Sequence, residues 1–143
     1  GAAEDAALGC LATALAGAAT RAFAAAAEEC ASLAEAALAP EHPWTRRAAG
    51  LRVMSALATR AAKTGTRAEG WLSTMTIAAK ACGEDPRTSQ LRSAAAEALG
   101  AATRALGEKS EVRAACVEAL EEMRDGDRAP DVRGAAGRAL EGR

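Results

Sequence analysis

Apolar and small residues recur along this chain at intervals of three and four, the spacing of one face of a helix. The clearest case is a nine-residue pattern present three times in the C-terminal half. Leu91-Arg92-Ser93-Ala94-Ala95-Ala96-Glu97-Ala98-Leu99 is followed by Val112-Arg113-Ala114-Ala115-Cys116-Val117-Glu118-Ala119-Leu120 and by Val132-Arg133-Gly134-Ala135-Ala136-Gly137-Arg138-Ala139-Leu140. Each copy places a branched aliphatic, an Ala three residues on and an Ala-Leu seven and eight residues on along one stripe. A helix with a single stripe cannot bury it alone, so the pattern predicts a stack of similar helices sharing a continuous core. Residues 91, 95, 98, 99, 102 and 106 are expected to face that core.

The same spacing and its interruptions divide the whole chain. Leu8, Leu11 and Leu15, then Phe23, Ala27, Cys30, Leu33 and Leu38, predict helices over 2–16 and 18–38 broken at Gly17, with one long kinked helix as the alternative. Pro40 and Pro43 bracket a turn, and Trp44, Ala48, Leu51, Val53, Met54, Leu57 and Ala58 predict a helix over 43–63. Gly65 suits a left-handed C-terminal cap, and Thr66-Arg67-Ala68-Glu69 has the form of a capping box opening a helix over 67–82, with Trp71, Leu72, Met75, Ile77, Ala78 and Cys82 as its apolar residues. Asp85-Pro86 opens the helix of the first motif copy, which runs to Leu106. Ser110 caps the next, to about 124, and Pro130 opens the last, to 141, where Gly134 and Gly137 each weaken it by about 1 kcal/mol relative to Ala.

Seven helices result, and the links between them alternate. Proline-containing turns precede the helices near 43, 86 and 130, and glycine-containing links precede those near 18, 66 and 110. The single domain of residues 1–143 therefore reads as a helix over 2–16 and hairpins over 18–63, 66–106 and 110–141. Arg47, Arg92 and Arg133 lie early in the second helix of each hairpin, 45 and 41 residues apart, a spacing that suits an α-hairpin repeat.

Composition narrows the function. Half of the residues are hydrophobic, but alanine supplies most of them and Phe23, Trp44 and Trp71 are the only aromatics, which argues against a cavity lined by aromatic anchors and against strands. A formal charge of −1 gives no basic excess for nucleic acid. Cys10, Cys30, Cys82 and Cys116 are far apart with only His42 to join them, so free thiols in a reducing compartment are expected rather than disulfides or a zinc site. No phosphate-binding glycine loop, nucleophile and base pair or ligand cluster occurs, so no catalytic residue, metal ligand or cofactor site is predicted. Neither a signal peptide nor an apolar run of membrane-spanning length is read, which points to an intracellular, cytoplasmic or nuclear, protein.

Asp85-Pro86 leading to Leu91-Arg92-Ser93-Ala94-Ala95-Ala96-Glu97-Ala98-Leu99-Gly100, and Ala129-Pro130-Asp131-Val132-Arg133-Gly134-Ala135-Ala136, resemble the aspartate/proline turn and Val-Arg second helix of the HEAT and armadillo-like repeat superfamily. The resemblance covers about 18–141, and the first hairpin departs from it with His42-Pro43-Trp44-Thr45-Arg46-Arg47 and no Asp. It implies an all-α fold, a right-handed α-α superhelix, and a non-catalytic scaffold or adaptor that binds other proteins. A narrower likeness, in Trp44, Arg47, Ala48 and Ala58, is to the C-terminal region of the proteasome adaptor and scaffold; importin-like and kinesin-associated scaffolds serve equally well.

The resemblance further implies that Arg47, Arg92, Arg113 and Arg133 bond acidic or carbonyl groups in neighbouring turns as a ladder between repeats, with a phosphate-binding row as the alternative. Trp44 and Trp71 are the candidate protein-binding residues, and packing between hairpins is their other use. Alternative functions are a membrane-surface or lipid-associated helical protein, or a helical subunit of an assembly with an enzymatic partner. Leu8, Leu11 and Leu15 at one end and Val132, Ala136 and Leu140 at the other each present a stripe with no cap. The chain, which starts at Gly1, is therefore expected to be a segment of a longer solenoid or to dock one end on another subunit.

Overall fold

A computed structural model describes the backbone of residues 1–17 and 20–143, and the side chains of residues 1–12 and 22–143. Over that span the chain forms seven helices, and no strand occurs among the described residues: α1 (Ala2–Gly17), α2 (Thr20–Ala37), α3 (Trp44–Thr64), α4 (Glu69–Gly83), α5 (Ser89–Ala105), α6 (Glu111–Gly126) and α7 (Pro130–Glu141). The fold class and the number of helices are those read from the hydrophobic spacing.

The helices lie in two layers. α1 packs on α3, α3 on α5 and α5 on α7, while α2 packs on α4 and α4 on α6. The layers are joined within the hairpins, α2 with α3, α4 with α5 and α6 with α7. At the centre Leu91, Ala95, Ala98, Leu99, Ala102 and Leu106 are all buried, as the stripe requires, and Leu120 and Val132 from the other motif copies join them.

Small residues set the spacing of the helices. A Cβ on Gly100 of α5 would lie 2.6 Å from the Ala139 Cβ of α7, and one on Gly50 of α3 would meet Ala37 and the Ala34 carbonyl of α2 at 3.0 and 3.1 Å. Alanine-rich faces let backbones approach this closely, so the core is shallow but dense.

The helix ends follow the sequence in part. Gly65 closes α3 at φ +67°, the left-handed cap expected of it, and Ser110 caps α6 by accepting from the Arg113 N–H at 3.3 Å. Pro130 occupies the first turn of α7. The capping box at Thr66–Glu69 does not form: α4 starts at Glu69, the Thr66 hydroxyl pairs with that of Thr64 at 2.6 Å, and Glu69 accepts from Ser110 at 2.7 Å. Glu69 is thus used between two successive inter-hairpin links and cannot fold back on its own helix. Likewise α5 starts at Ser89 rather than at Pro86, because the Asp85 carboxylate turns back on the Arg87 N–H at 2.9 Å and holds residues 85–87 as a turn.

The two ends of the stack differ, against the expectation that both are open. Val132, Ala136 and Leu140 are buried, since α5 and α6 take the whole stripe of α7, and Asp131, Arg138 and Glu141 face water instead. At the other end Leu8 and Leu11 are only half-buried, and Leu15 lies outside the residues whose side chains are described.

Candidate binding surface

The turns inside the hairpins are tied together by arginines of the first layer. Arg47, buried at the start of α3, donates to the Asp85 carboxylate in the α4–α5 turn at 2.9 Å and approaches the Cys82 sulfur at 3.5 Å. Arg92, at the start of α5, donates to the Asp127 carboxylate in the α6–α7 turn at 2.9 Å and to its own turn's Asp85 carbonyl at 3.0 Å. Arg133 in α7 donates to its own turn's Asp127 carbonyl at 2.7 Å. Arg128 extends the series by donating to the Pro86 carbonyl across the two turns. Arg113 belongs elsewhere: it lies in α6, in the second layer, and donates to the Thr103 carbonyl at the end of α5 at 3.3 Å.

Hydrogen bonding keeps both aspartates ionised. The Arg87 side chain and backbone N–H, with Arg47 beside them, hold the Asp85 carboxyl well below the usual carboxylate range. At Asp127 burial pushes upward, but hydrogen bonds from Arg92 and the Ala129 N–H outweigh it and the carboxyl is lowered. These guanidinium groups are bonded to protein oxygens, so the row of arginines is built into the structure, not displayed as a phosphate site.

The tryptophans have different surroundings. Trp71 is half-buried and packs against the core, whereas Trp44 is 42% exposed beside a cleft of about 390 Å³ shared with Pro40, His42, Pro43, Arg87 and Thr88. The structure does not bring the two together: Trp44 sits at the hairpin turns, and Trp71 in the first turn of α4.

A second surface includes Leu8 and Leu11 of the terminal stripe read as uncapped, joined by residues of α2 that were not read as part of it. Between α1, α2 and α3 runs a groove of about 310 Å³ lined by Ala7, Leu8, Leu11, Leu33, Ala36 and Ala37, with Glu4, His42 and Arg46 at its rim. Leu33, expected inside, is 58% exposed here, because Phe23, Ala27, Cys30 and Ala34 already form the inward stripe of α2. Ile77 is 73% exposed for the same reason, since Leu72, Met75, Ala79 and Cys82 complete the inward face of α4.

Cys30, Cys82 and Cys116 are buried free thiols and Cys10 is exposed. Burial pushes the Cys116 thiol up to about 11 and raises Cys30 and Cys82 as well, so these three behave as packing residues rather than nucleophiles. Among the described residues no three His, Cys, Asp or Glu side chains gather as metal ligands, and no helix is long and apolar enough to cross a membrane. Comparison with protein-family models, with curated proteins and with solved structures found no match.

Proposed function

We propose that the chain is a non-catalytic protein-binding scaffold or adaptor built of HEAT-like helical-hairpin repeats. The observation that carries this reading is the open apolar groove between α1, α2 and α3, where Leu33, more than half exposed, stands beside the half-buried Leu8 and Leu11. Surface apolar residues occur singly on most proteins, but a leucine set beside other leucines and alanines in a groove marks an interaction site. The Arg–Asp contacts, which tie α3 and α5 to the turns of the hairpins that follow them, support the hairpin-repeat part of it. A right-handed superhelical course, kinship with the HEAT and armadillo-like superfamily and an intracellular location belong to the same proposal. Trp44, beside its own cleft, is a second point of contact.

Affinity capture from source-cell extract, run in parallel on the wild-type chain and on Leu33→Asp and quantified by mass spectrometry, tests this. The expected result is a discrete protein retained by the wild type and reduced about tenfold or more by the variant. Identical captures on the two chains would remove the reading.

A further inference from the structure

We draw no further inference here: the strongest candidate, the outer face of the second layer, where the exposed Ile77 of α4 lies between helices bearing the exposed Glu28 and Glu29 (α2) and Glu118, Glu121 and Glu122 (α6), is a solvated acidic surface around one aliphatic side chain, and nothing in the structure shows what covers it.

Discussion

Asp85 shows how a single side chain can organise a boundary between repeats. Its carboxylate receives the buried Arg47 guanidinium from the preceding hairpin and three donors from Arg87 in its own turn, the backbone N–H and two guanidinium nitrogens, at 2.9–3.4 Å. Asp85→Asn would leave Arg47 buried without its counter-charge, and the cost is expected to be about 3 kcal/mol in urea unfolding, against a far smaller effect for the exposed Asp131→Asn. The sign with pH follows from the lowered folded-state values of Asp85 and Asp127. Their contribution is complete above the unfolded carboxylate value of about 3.9 and is lost as pH falls through the folded ones, so wild-type stability should drop below about pH 4 and the Asp85→Asn chain should show a shallower drop. The arginines were legible in the sequence as a repeating position after the aliphatic residue. Their acceptors were not: Asp85 reads as a helix cap, and nothing in Asp125-Gly126-Asp127-Arg128 says which aspartate meets Arg92, because that depends on how the hairpins pack.

At the level of elements, helical spacing together with Gly and Pro located all seven helices, and the misread boundaries are those where a side chain is used elsewhere. Glu69 reaches Ser110 and Asp85 binds its own turn, so α4 and α5 begin two or three residues later than their local chemistry suggests. Apolar content also misplaced Leu33 and Ile77, since a helix this rich in alanine has more apolar positions than one inward face can hold. The glycines separate by the same packing logic. Gly137 of α7 has open space where a Cβ would sit, so Gly137→Ala should raise stability by about 0.5–1 kcal/mol. Gly100→Ala should lower it by about 1–3 kcal/mol despite the better helix propensity, because the new methyl would collide with Ala139 and push α7 off α5. Thermal unfolding followed by circular dichroism distinguishes the two.

Across the whole molecule, the layers of first and second helices were foreshadowed by the alternation of proline and glycine links, but the inequality of the two ends was not. Sequence shows a stripe at both; packing consumes the stripe of α7 and leaves that of α1 and α2 partly open. The central claim is that the chain works by receiving a protein at that end. Site-specific photo-crosslinking in the source cell tests it most directly, with the photoreactive residue placed at Ala36 in the groove and, as control, at the exposed Ala115 on α6. The account predicts one discrete protein adduct through position 36, lost on adding Leu33→Asp, and none through position 115. No adduct through position 36, or the same adducts through both positions, would contradict it.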